Sequence, residues 1–159
     1  MIFYSILSWY LQDTFAVLSS NALLVPDIFL LYILYYSFSD STWDQEKEIL
    51  LIWISFFGGI LWDLRWIGIP GLFALIYAAT FLCALWAWSL FPESGHTASV
   101  FFVILWASQL PGFFTGLFLW NIGTEYYFRS MLICQVYSIP LSALFSLLFY
   151  LKKLKLKNA

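Results

Sequence analysis

Three long stretches of this chain carry no charge, and that decides what it can fold into. Residues 66–92, 94–124 and 130–151 are runs of 27, 31 and 22 residues without an Asp, Glu, Lys or Arg. A helix needs about 20 apolar residues to cross a hydrocarbon core roughly 30 Å thick, so each run spans with room to tilt. Composition agrees: 63% of the 159 residues are hydrophobic and only 10% are charged, against about 45–50% and about 25% in an ordinary soluble domain. Seven basic and nine acidic residues do not cover a water-facing surface, and nine Trp, ten Tyr and seventeen Phe exceed what one small soluble core buries. A soluble enzyme, a disordered tail and a nucleic-acid binder are excluded. The chain reads as an all-α integral membrane protein whose first partner is the lipid bilayer.

Six transmembrane helices are expected, at about 2–22, 25–38, 47–63, 69–91, 98–120 and 130–151, in a single polytopic domain covering 1–159. A short Lys-rich tail, 152–159, follows them. The third apolar stretch, 49–62, reaches only about 21 Å at 1.5 Å per residue, so it must extend into its flanks or end near Asp63 below the lipid surface. The first segment carries Gln12 and Asp13 at its centre. A carboxylate there costs about 2.5–3.5 kcal/mol on insertion scales and is expected to face the bundle interior. A cleaved signal peptide with a site near Ser20-Asn21-Ala22 competes with this reading. The missing basic n-region and the polar pair favour a helix.

The tail holds Lys152, Lys153, Lys155 and Lys157, four of the seven basic residues. The positive-inside bias therefore places it in the cytoplasm, against anionic lipid, and six crossings put the N-terminus there as well. The aromatics fall into an inner belt of Tyr35, Tyr36, Trp86, Trp88 and Tyr150 and an outer belt of Trp62, Trp66, Trp120 and Tyr126. Cys83 and Cys134 lie in different apolar segments, which is neither a disulfide framework nor a metal spacing.

Each polar residue or helix break has a structural reading beside a functional one. Pro26 and Asp27 open the second helix, where proline has no N–H to lose and an aspartate meets the positive end of the helix dipole. Asp27 is thus an interfacial cap or a contact for a partner or ligand. Gly58 and Gly59 allow close helix approach or a kink. Asp63 and Arg65 neutralise each other if the turn begins at once; otherwise Asp63 is a functional polar site. Ser108, Gly112 and Gly116 recur every fourth residue, as do Ser138, Ser142 and Ser146. Such faces let helix backbones approach, within one chain or between two. Pro111 and Pro140 interrupt the backbone ladder mid-span, which is tolerated where the backbone lines protein or an internal cavity.

Catalytic chemistry has little to stand on. The single histidine, His96, sits in a short Pro-Glu-Ser-Gly-His loop. There is no paired-histidine metal motif, no nucleophile elbow and no phosphate-cradling glycine loop. The expectation is a protein that is not an enzyme and uses no cofactor and no metal.

The order of the short motifs resembles the rod shape-determining protein MreD family. These are Leu11-Gln12, Pro26-Asp27 before an aliphatic run, Gly59-Ile60-Leu61-Trp62-Asp63-Leu64, and Ile67-Gly68 leading into Pro70-Gly71-Leu72. The resemblance covers roughly residues 8–85 and singles out Gln12, Pro26, Asp27, Gly59 and Asp63. It implies a non-enzymatic scaffold of the bacterial cell-elongation machinery in the inner membrane. Such a scaffold binds a MreC-like single-pass partner, and through it the MreB filament and the cell-wall synthases. The six-helix arrangement is also similar to the substrate-binding S components of energy-coupling-factor transporters, which leaves a small-molecule carrier as the alternative. In a carrier, Gln12, Asp13, Asp27, Asp63 and Gln109 would converge, and a small-residue face on the first helix (Ser8, Gln12, Ala16, Ser20) would dock the transporter. An ion pathway through Asp13 and Asp63 is a third reading.

Overall fold

A computed structural model describes residues 1–19, 25–39, 45–67, 70–92, 95–111 and 124–157 of the chain. Among them are six α-helices and no strand: α1 (Ile2–Ser19), α2 (Ile28–Ser39), α3 (Gln45–Trp62), α4 (Leu72–Ser89), α5 (Ala98–Ala107) and α6 (Thr124–Lys157). A π-helical turn, Asp63–Ile67, continues α3. Three segments are long and apolar enough to cross a membrane: Gln45–Trp66, Leu72–Ser89 and Leu132–Lys155.

The third helix therefore solves its length problem at both ends, starting at Gln45 and running on through the π turn. The fourth is shorter than the expected 69–91. The fifth departs most from expectation. Instead of running to residue 120, α5 stops at Ala107, and Ser108 and Gln109 form a turn before helical geometry returns at 110–111. Pro111 explains the stop: it has no N–H to offer the Ala107 carbonyl four residues before it and its ring clashes there, whereas a proline is tolerated in the first turn of the helical segment that begins at 110. Pro140 has no such effect: α6 runs through it for 34 residues and takes in the Lys-rich segment, which is helical up to Lys157. The rest of the expected fifth helix, with Gly112 and Gly116, lies outside the described residues.

α2 is the centre of the bundle. Its sequence is apolar on every side, the pattern of a helix surrounded by others. Phe29, Leu30, Leu31, Ile33 and Leu34 are all buried, and α2 packs on α1, α3, α4 and α6. Its 12 residues extend about 18 Å. Outward faces are apolar instead: Phe3, Leu18, Leu75 and Trp86 are each more than 60% exposed. α1 shows the inversion most simply. Ser5, Ser8, Gln12 and Ala16 recur at helical spacing and are buried, while Phe3, Leu7, Leu11 and Leu18 face out. Trp62, expected in an outer aromatic belt, is only 3% exposed and belongs to the core.

The two glycines of α3 make this packing possible by facing different neighbours. A Cβ on Gly58 would overlap the Phe29 ring of α2, and one on Gly59 would overlap the backbone of Ala74 in α4. The Gly58 carbonyl also accepts the indole N–H of Trp9 at 3.2 Å, tying α1 to α3. At the other end of the molecule His96 stacks on Trp88 (4.2 Å between centroids). There the Lys153 ammonium donates to the His96 carbonyl at 2.8 Å, and the Ser146 hydroxyl donates to the Ala98 carbonyl at 2.6 Å.

Candidate functional site

α2 and α4 both begin inside the bundle, and every helix start leaves backbone N–H groups without an intrahelical partner. Buried N–H groups are nearly always paired, so where these starts are packed against other helices side chains must satisfy them. In both helices the side chain comes from another element.

At α4 the donor-rich start meets Asp63, the first residue of the π turn. Its carboxylate accepts the Phe73 N–H on Oδ1 at 2.9 Å and the Gly71 and Ala74 N–H groups on Oδ2 at 3.0 and 3.2 Å. Asp63 is fully buried. Gly71 stands at the N-cap position with φ of 100°, a left-handed conformation for which glycine has no steric cost. The negative charge also lies against the positive end of the α4 dipole. The expected Asp63–Arg65 pair is not what forms. Arg65 turns the other way and bonds Asp13 of α1 at 3.2 Å, where the Trp66 indole N–H also donates at 3.0 Å. Two residues apart, Asp63 and Arg65 do not share a face, and the π turn keeps one inside while the other reaches the surface.

At α2 the arrangement is a four-sided polar node. Gln12 of α1 accepts the Phe29 N–H on Oε1 at 3.0 Å. Its amide nitrogen donates to Asp27 Oδ1 at 2.9 Å and to the Tyr77 hydroxyl at 3.2 Å. The Tyr77 hydroxyl in turn donates to Asp27 Oδ1 at 2.6 Å. From the turn after α5, Gln109 Oε1 accepts the Asp27 backbone N–H at 2.7 Å. Asp27 therefore holds the N-cap position of α2 without capping it by its side chain, which corrects the simple interfacial-cap reading. Gln12 supplies that hydrogen bond, and the carboxylate instead joins α1 to α4. Pro26, buried just before it, sets the entry of the chain into α2.

Of the five residues thought able to converge, Gln12, Asp27 and Gln109 do so, together with Tyr77. Asp13 and Asp63 do not: each is engaged elsewhere, Asp13 at a partly exposed ion pair and Asp63 at the start of α4. Sequence reasoning passed over Tyr77 because a tyrosine inside an apolar helix carries no mark distinguishing a buried hydroxyl donor from an interfacial one. Gln109 had a signal, an amide two residues before a mid-span proline.

The described serines of the two small-residue stripes are internal. Ser108, Ser138, Ser142 and Ser146 are all buried. The Ser108 and Ser138 hydroxyls bond carbonyls of their own helices at 2.7 and 2.8 Å, and Ser142 Oγ has no hydrogen-bond partner. The small face of α1 is likewise packed inside, so Ser8, Gln12 and Ala16 do not form an open docking surface; Ser20 lies outside the described residues. Among the described residues no three His, Cys, Asp or Glu side chains gather into a set that would hold a metal ion. No protein-family model, no curated protein and no solved structure matches the chain.

Proposed function

We propose that this chain is a non-enzymatic, multi-pass membrane scaffold of the MreD type. It crosses the bacterial inner membrane six times with both termini in the cytoplasm. It packs against the transmembrane helix of a MreC-like single-pass partner, so that cell-wall synthesis outside follows the MreB filament inside. The observation that carries this reading is the placement of the residues on which the resemblance rests. Gln12 and Asp27 bond each other, Gly59 seats α3 against α4, and Asp63 caps α4. Each holds a helix–helix joint, as expected of a protein whose task is to present a fixed shape to a partner.

The test is a gentle-detergent pull-down of the tagged protein from native membranes, with copurifying proteins identified by mass spectrometry. A coiled-coil single-pass protein with wall-synthesis enzymes is the expected result. Asp63→Ala should weaken that association, and unchanged copurification would remove Asp63 from the residues that matter. Paired ATPases with a transmembrane coupling subunit would replace the scaffold by the S-component reading. The convergence of Gln12, Asp27, Tyr77 and Gln109 favours that second reading, and the inward packing of the small α1 face weighs against it.

A further inference from the structure

The node at Asp27 is not closed. Gln109 is only 4% exposed, and its Nε2 is buried without a hydrogen-bond partner. The orientation of this amide is forced: the atom facing the Asp27 N–H at 2.7 Å must be an acceptor, so the free atom is the N–H2 donor. Across the same contact, Asp27 takes both of its side-chain hydrogen bonds, from Tyr77 and from Gln12, on Oδ1. Its Oδ2 receives none from the described residues, and the residue is only partly buried. An unpartnered N–H2 group and a carboxylate oxygen that no described residue bonds thus belong to two residues already in contact. A donor left unmade inside a lipid-surrounded bundle is costly.

The two open groups select their ligand by sign. A bare cation satisfies Asp27 but meets the positive end of the Gln109 N–H bonds, and an anion meets the carboxylate. A group that accepts one hydrogen bond and donates another satisfies both. We propose that Gln109 and Asp27 form a binding site for one hydroxyl group, whose oxygen accepts from Gln109 Nε2 and whose hydrogen is donated to Asp27 Oδ2. The hydroxyl belongs to an ordered water or to the glycerol headgroup of phosphatidylglycerol. Because the node joins α1, α2, α4 and the turn after α5, filling it stabilises the folded bundle by mass action. This site stands independently of the scaffold reading.

The test uses the full chain in nanodiscs of phosphatidylcholine alone and of phosphatidylcholine with phosphatidylglycerol. Its structure in each is determined at a resolution that shows ordered water. An oxygen within hydrogen-bond distance of both Gln109 Nε2 and Asp27 Oδ2 is the expected result. Isolated density in both lipids identifies water; density continuous with a headgroup, present only with phosphatidylglycerol, identifies the lipid. In the lipid case the unfolding temperature of the native protein rises with phosphatidylglycerol, and that rise is absent in Gln109→Leu. The readout is the difference between lipids, so a uniform loss of stability in the variant does not confound it. Absence of bridging density in both lipids overturns the proposal, whatever the unfolding temperatures.

Discussion

Asp63→Asn is the sharpest test of how this bundle is held together. The native carboxylate accepts three backbone N–H groups at 2.9, 3.0 and 3.2 Å in a fully buried site. Asparagine keeps the volume and one acceptor oxygen but replaces the other with an N–H2 group. Whichever way the amide turns, a donor faces at least one backbone donor of α4. Interhelical hydrogen bonds in membranes average about 0.6 kcal/mol, which for three bonds sets a floor near about 2 kcal/mol. Bonds to a charged acceptor are worth about 1.5 kcal/mol or more each, so the full loss in Asp63→Ala reaches about 4–5 kcal/mol. Asp63→Asn should then cost about 2–4 kcal/mol, with α4 losing its first turn. Reversible unfolding in mixed micelles, followed by tryptophan fluorescence, measures this. A loss below about 0.5 kcal/mol for Asp63→Asn would refute the reasoning, because it would mean the α4 start is satisfied without a carboxylate.

Other expectations follow from the same contacts. Tyr77→Phe removes the 2.6 Å bond to Asp27 and should cost about 1–2 kcal/mol; in a double-mutant cycle with Gln12→Leu the two losses should depart from additivity by at least about 0.5 kcal/mol, since Gln12 also donates to the Tyr77 hydroxyl at 3.2 Å and each single variant already removes that bond. Gly59→Val places a branched side chain against the Ala74 backbone and should destabilise by about 1–3 kcal/mol or more, read as a lowered unfolding midpoint. Arg65→Ala, at an ion pair whose arginine is 54% exposed, should change stability by no more than about 0.5 kcal/mol, whereas Asp13→Ala should cost more because the Trp66 indole loses its acceptor too. Ser142→Ala deletes a buried hydroxyl that has no partner and should be neutral or stabilising, while Ser146→Ala loses a 2.6 Å bond to α5 and should cost about 0.5–1 kcal/mol; equal effects at the two serines would contradict the assignment.

Much of the architecture was legible in the residue order because lipid and backbone impose simple rules. Charge-free runs long enough to span mark α4 and α6, and an aliphatic run without polar relief marks the buried α2. The break after α5 was written in Pro111, although the equally placed Pro140 breaks nothing. A proline tells that a hydrogen bond is lost, and only the surrounding contacts tell whether the helix goes on. Trp62 is similar, since an aromatic beside a charged residue looks like an interfacial anchor until the neighbours that bury it are known.

The sequence by itself determined the helical class, the approximate segments and which polar residues had to be accounted for, because the cost of placing Gln12, Asp27 or Asp63 among apolar helices is a local property. Tertiary structure alone decided their partners. Asp63 is two residues from Arg65 but bonds the start of α4, and Arg65 reaches back to Asp13, 52 residues away. Asp27 caps nothing of its own and instead gathers Gln12, Tyr77 and Gln109 from three other parts of the chain. Hydrogen bonds are satisfied by whatever donor or acceptor lies within about 3 Å. That distance is set by how the helices pack, which the spacing of residues along a chain does not specify.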